Sequence, residues 1–250
     1  MKKLFMITFL VSSLSTVSVL AQVGGNFESN DLRSFDIYNT INTERGVVDL
    51  DNVDGSIYLD DEFKSGLVID TNKDQEFEAL IRYNIFKDQV EINFITNKNQ
   101  VSVLKRSTNF EYVLNGDRIK LFFNDKIFRG GKDNGYLFIL GNTSLDENQV
   151  QLYKKYYQNY TPEKKAVSSY VKAKLAKLEN EVEYYISEDD KSFKQLEVNK
   201  RKILETFDSK YRSDLKDFIK SKDFNFRGSS VEVENEIKRL IYFYNTLIEN

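Results

Sequence analysis

The sequence predicts an α+β protein: an antiparallel β-rich body, a sandwich or curled sheet, followed by a three-helix C-terminal segment. Two observations carry this. Short runs of alternating apolar and polar residues, separated by turn signals, fill residues 46–198. The last 50 residues instead repeat their apolar positions at helical spacing.

The chain opens with Lys2 and Lys3, an uncharged apolar run from Leu4 to Leu20, and Val19-Leu20-Ala21 before Gln22. This is the three-part layout of a secretory signal cut after Ala21. The alternative is a membrane anchor, but the run is shorter than the roughly 20 residues a spanning helix needs and carries several Ser. With no Cys in the chain, lipid attachment at the cut is excluded. No later run could span as a helix, so the mature chain is expected to have no transmembrane helix and to reside in the periplasm, the cell envelope or outside the cell.

Residues 22–45 are polar, contain Gly24-Gly25 and lack a sustained period, which predicts a flexible leader. From Gly46 the β pattern begins. Phe77, Ala79, Ile81, Tyr83 and Ile85 share one parity, with Leu80 and Phe86 on the other, as in a strand buried on both faces. Lys87-Asp88 reads as a tight turn into Val90, Ile92 and Phe94, and Asn97-Lys98-Asn99 as the next. The strongest hairpin signal is Asn115-Gly116, flanked by Phe110, Tyr112 and Leu114 and by Ile119, Leu121 and Phe123. Gly130 to Gly135 is a loop before a strand from Tyr136 to Leu140. Residues 146–178 fit both periods; a strand to Tyr160 and an irregular or helical link beyond Pro162 is the reading adopted. Val182 to Ile186 and Phe193 to Val198 form a hairpin around Glu188-Asp189-Asp190.

Within 199–250, Ile203, Leu204 and Phe207 suit one helix, and Leu215, Phe218 and Ile219 a second. The third is the most regular: Val233, Ile237, Leu240, Ile241, Tyr244, Leu247 and Ile248 share one helical face. Ser229 with Glu232 fits a capping box at its start.

Gly55-Ser56-Ile57-Tyr58, Phe63, Gly66 and Leu80 to Ile85, with the tail segments Lys200 to Phe207, Leu215 to Ile219 and Ile241 to Asn245, resemble a pattern in exported proteins of Bacteroidota, many of them small and uncharacterised. The resemblance implies a periplasmic or envelope location in a Gram-negative cell. It carries over no activity and no functional residue. Arg82 stands out within it as a charge inside an apolar strand, expected to pair across the sheet or to face solvent.

Composition narrows the chemistry. The chain has no His and no Cys. Ser-His-Asp and Cys-His nucleophiles are therefore excluded, and a zinc site would lack its favoured ligands. Acid–base work would fall to Asp, Glu, Lys or Tyr. Charge is uneven: residues 22–80 hold 14 acids and 4 bases, residues 151–180 hold 7 Lys and 2 Glu. Opposed solvated surfaces explain this most simply.

Several constellations fail on spacing. Asp49 to Gly55 misses a calcium loop by one residue and reads as a turn. Asp60-Asp61-Glu62 is an acidic cluster, and adjacency in sequence says nothing about the pair of carboxyls across a cleft that a glycosidase needs. Gly130-Gly131-Lys132 lacks the rest of a phosphate loop. The strands are too short and broken for a membrane barrel. No cofactor signature is present.

The candidate binding residues are Tyr153, Lys154, Lys155, Tyr156, Tyr157 and Tyr160, where rings interleave with ammonium groups as in surfaces that stack on sugars and meet anions. The plainer alternative is a Tyr-rich strand packing a core edge while its Lys stays wet. An acidic exported chain is a poor fit to nucleic acid. The leading expectation is a non-catalytic binding or interaction protein whose partner is an envelope protein or glycan. The alternatives are a carboxylate-based enzyme on envelope polysaccharide and a lipocalin-like carrier of an apolar ligand.

Overall fold

The computed structural model describes residues 38–40, 53–93, 101–124, 126–141, 149–165 and 172–249. The expected signal peptide, the Asn97 to Asn99 turn and most of the leader lie outside them. Among the described residues twelve strands form one mixed sheet, and two helices and two 3-10 turns follow it.

The strands are β1 (Tyr38–Thr40), β2 (Val53–Asp54), β3 (Lys64–Asp70), β4 (Gln75–Asn84), β5 (Gln89–Asn93), β6 (Val101–Leu104), β7 (Phe110–Leu114), β8 (Asp117–Phe123), β9 (Asn134–Leu140), β10 (Gln151–Thr161), β11 (Ala176–Ser187) and β12 (Lys194–Leu196). Their spatial order is β1-β6-β5-β4-β3-β7-β8-β9-β10-β11-β12, with β2 laid parallel on β11. All other pairs are antiparallel. β1 falls inside the stretch expected to be a leader, and β3, whose middle is Gly66-Leu67, gave no clear alternation.

The turns follow their residue chemistry. Asn115 and Gly116 both hold positive φ, 53° and 86°, as a two-residue hairpin turn requires. Asp88 takes a φ of 54° in the β4–β5 turn. Gly55, at φ 106°, lies so close to Leu178 that an added Cβ would sit 2.5 Å from its carbonyl oxygen. The segment Val53–Gly55 can thereby cover Ala176 and Leu178.

β4 is not buried on both faces. Phe77, Ala79, Ile81 and Tyr83 are buried, whereas Glu76 and Glu78 are exposed and Leu80 is half-buried. Arg82 pairs with Glu91 directly opposite on β5, at 2.7 Å. Its guanidinium is held between the rings of Tyr58 and Phe63, 3.5 and 4.4 Å from their centroids.

The sheet is strongly curled. β4 and β9 are four strand spacings apart, about 19 Å on a flat sheet. Yet the rings of Tyr83 and Phe138 meet edge to face at 5.0 Å. Tyr112 and Tyr136 meet at 5.9 Å on the same concave face. These rings, with Ile81, Ile92 and Ile119, fill the hollow. Burying each such side chain is worth about 1.5–3 kcal/mol, which holds the curl closed.

The expected three-helix C-terminal segment is corrected to two helices. Ile203–Thr206 makes only one 3-10 turn before Phe207, and Asp208 caps a second short turn at Ser209–Tyr211. Three apolar positions in five residues, with no following apolar turn, do not supply a helix with a face to bury. The true helices are α1 (Arg212–Ser221) and α2 (Ser230–Glu249). The capping box forms: Glu232 Oε2 accepts from the Ser229 amide at 2.9 Å, and Ser229 Oγ from the Glu232 amide at 3.3 Å.

α2 buries Ile237, Leu240, Ile241 and Tyr244 against Leu140, Val150, Leu152, Tyr184 and Ile186 of the sheet. Asn245 locks its end to the residue before β10 by two bonds with the Val150 backbone, at 2.9 and 3.0 Å. Near its start, Glu234 meets Lys154 at 2.8 Å. Eleven helical residues span about 16 Å and four strand residues about 13 Å, so α2 runs antiparallel along β10. Among the described residues no helix is long and apolar enough to cross a membrane.

Candidate functional site

The two ends of the curl approach each other between the β4–β5 turn and β10, and a cleft of about 230 Å3 opens on that seam. Three segments line it: Ile85, Phe86 and Asp88 from the turn; Phe128, Arg129, Gly130 and Lys132 from the β8–β9 loop with Asn134 at the start of β9; Lys155 to Asn159 from β10. β10 pairs with β9 only over Leu152–Lys154, so from Lys155 onward that side of the strand is free to face the cleft. Phe128 forms part of the wall, its ring packed so close to Gly135 that an added Cβ would sit 2.6 Å from it.

Asp88 is the hub. One of its carboxylate oxygens accepts from Lys155 Nζ at 2.5 Å and from the Tyr83 hydroxyl. The other accepts from Arg106 Nη2 at 3.2 Å and from the Tyr136 amide at 3.3 Å. Arg106 also donates to the Asp88 carbonyl at 2.5 Å and to Asn134 Oδ1 at 2.6 Å. One buried carboxylate therefore faces two cations. Burial pulls the Lys155 ammonium below its usual range, against the opposing pull of Asp88. Asp88 also feels burial, which would raise its carboxyl, but Lys155, Tyr83 and Arg106 outweigh it and hold the group below the ordinary range.

Arg129 closes the other side. Its guanidinium grips Glu181 through two bonds of 2.7 Å, reaches Glu183, and lies 4.3 Å over the Tyr157 ring. The Arg129 hydrogen bonds, with one from Asn159, bring Glu181 down to about 2. Lys132 is exposed at the cleft and has no carboxylate partner among the described residues.

The six residues nominated from sequence go to different places. Lys155, Tyr156 and Tyr157 line the cleft. Tyr153 is fully buried in an outer cluster with Phe122 and Phe193, and its hydroxyl bonds Asp190. Lys154 is buried beneath α2 and bonded to Glu234; burial opposes its charge, but Tyr156, Glu234 and Asp117 outweigh that and raise it above the usual lysine range. Tyr160 stands exposed farther out on β10. Neither lysine of the Lys154-Lys155 pair is wet, contrary to the plainer reading of the tract. Tyr156 packs edge to face on Phe138 at 5.0 Å.

Asp88, Arg106, Phe128 and Asn134 gave no functional signal in the sequence. Asp88 read only as a turn residue, and its partner Lys155 lies 67 positions away. Among the described residues no group of three acidic side chains is placed to hold a metal ion.

The cleft offers three kinds of contact at once. Rings of Phe86, Phe128 and Tyr157 give apolar faces. Asn134, Gln158 and Asn159 give amides. Lys132 and Lys155 give positive charge against a single lining carboxylate. No protein-family model, no curated protein and no solved structure matches this chain.

Proposed function

We propose that this is an exported, non-catalytic binding protein of the cell envelope, whose seam cleft takes an acidic sugar residue of a glycan. The carrying observation is the excess of cation over carboxylate at Asp88, where Lys155 and Arg106 share one negative charge beside Lys132, which has no carboxylate partner among the described residues. Rings suit the C–H face of a sugar, amides its hydroxyls and ammonium groups its carboxylate. The cleft is smaller than a drug-sized pocket and suits one sugar ring, with the rest of the chain outside.

Two features favour binding over carboxylate-based hydrolysis or lipid carriage. A glycosidase needs two facing carboxyls, and the cleft lining carries only Asp88, held in an ion pair. A carrier needs an open apolar hollow, and the concave face is filled by Tyr83, Tyr112, Tyr136 and Phe138.

Calorimetric titration with a short oligogalacturonate tests the reading. Binding is expected, weakened about tenfold or more by Tyr157→Ala or Lys132→Gln, with the saccharide recovered uncut. Shortened saccharide, or binding indifferent to both substitutions, contradicts it. Export is tested by fractionating cells that make a C-terminally tagged chain: a form beginning at Gln22 is expected in the envelope, and cytoplasmic retention of the form beginning at Met1 contradicts it.

A further inference from the structure

The lysine-rich stretch flagged by charge patterning is not absorbed by the cleft. Burial falls steadily along the β10–β11 hairpin: Gln151 to Lys155 are all buried, whereas Asn159 to Lys165 and Lys172 to Leu175 are all exposed. The distal half is thus a two-stranded arm that leaves the body, covered along one edge only by β2.

The arm carries an unfavourable arrangement. Lys164 and Lys174 face each other across it in a closed pair, each amide donating to the other's carbonyl at 2.9 Å. Like charges directly opposite on a sheet repel. Among the described residues neither has an ion-pair partner, nor do the adjacent Lys165 and Lys172; only Lys177 is paired, to Glu179 at 2.6 Å. Leu175, beside Lys174, is 65% exposed. The open depression here, lined by Asp54, Pro162, Lys164, Lys174, Leu175 and Glu179 among others, offers neither an aromatic ring nor a side-chain amide.

We propose that this arm docks on an anionic membrane surface. Ammonium groups with no ion-pair partner among the described residues, on the exposed ends of Asn159 to Lys165 and Lys172 to Leu175, match a plane of headgroups, which supplies a counter-charge to Lys164 and Lys174. Leu175 and Pro162 give a shallow apolar contact between them. A saccharide chain would want the ring and amide contacts that the cleft has and the arm does not. The inference stands apart from the cleft reading, because no residue is shared between the two surfaces apart from their common strand.

The test is co-sedimentation of the chain from Gln22, which keeps every described residue, with phosphatidylcholine vesicles containing or lacking phosphatidylglycerol. Binding is expected only to the anionic vesicles and should weaken as salt rises. Lys164, Lys165, Lys172 and Lys174 changed together to Gln should lower the partition coefficient about tenfold or more. The same change at Lys200, Lys216, Lys220 and Lys222, exposed on the helical end, should alter it less than about twofold. Circular dichroism confirms that both variants are folded. No binding by the parent chain, equal loss in both variants, or capture by soluble polygalacturonate in place of vesicles overturns the proposal.

Discussion

At the residue scale the structure turns on Asp88. Removing its carboxylate strands two cations, one of them fully buried. Asp88→Ala should therefore cost about 3–5 kcal/mol, as expected when a buried pair loses one partner. Lys155→Met should cost less, about 1–2 kcal/mol, because Arg106, Tyr83 and the Tyr136 amide still satisfy the carboxylate. Urea unfolding of the two variants checks the order. The pH dependence has a definite sign. Asp88 is held below its unfolded value, so its stabilisation is complete above the ordinary carboxylate range and is lost as pH falls through the lower folded value. Asp88→Asn should flatten the acid limb of the stability curve. Lys155, also held low, binds its proton less readily folded than unfolded, so its contribution improves as pH rises toward the ordinary lysine range. None of this was legible from sequence. Tyr156 and Lys155 could be nominated from their interleaving, but an aspartate in a turn looks the same whether it meets water or a buried lysine.

At the element scale, local chemistry was readable where it was self-contained. Asn115-Gly116 sets its own hairpin, and Ser229 with Glu232 starts its own helix. Two tests belong here. Gly116→Val forces a β-branched side chain into positive φ and should cost about 1–2 kcal/mol. Ser229→Ala should cost about 1 kcal/mol by releasing the amide of Glu232. Thermal unfolding measures both. The misreadings share a cause. Ile203, Leu204 and Phe207 pack on the core without the length to sustain a helix, and tertiary burial fixes the single turn they make. β3 went unseen because Gly66 sits where a Cβ would meet the Val113 carbonyl oxygen at 2.4 Å, so packing demands a residue with no strand preference.

At the scale of the whole molecule, the curl and the docking of α2 place the site. Neither is local. The contact of Tyr83 with Phe138 depends on four intervening strand pairings, and the cleft exists only because the two ends of that curl meet. Alternation identified which residues face a core; it did not say that β4 and β9 share one. The filled hollow and the core under α2 lie on the same face of the sheet and are joined through neighbouring Phe138 and Leu140 of β9. They should unfold together. Leu240→Ala, at a fully buried position, should cost about 2–5 kcal/mol and leave a single transition by both near- and far-ultraviolet circular dichroism. Two separated transitions would show that the helical end is an independent unit.

The central claim is that the seam cleft receives an acidic sugar. The most direct measurement is an amide NMR titration of the 15N-labelled chain from Gln22 with a short oligogalacturonate. The account predicts saturable shifts concentrated at Phe86, Asn134 and Lys155 to Asn159, with the amides of α1 unmoved. Shifts confined to Lys164 through Lys177, or no saturable shift anywhere, would contradict it.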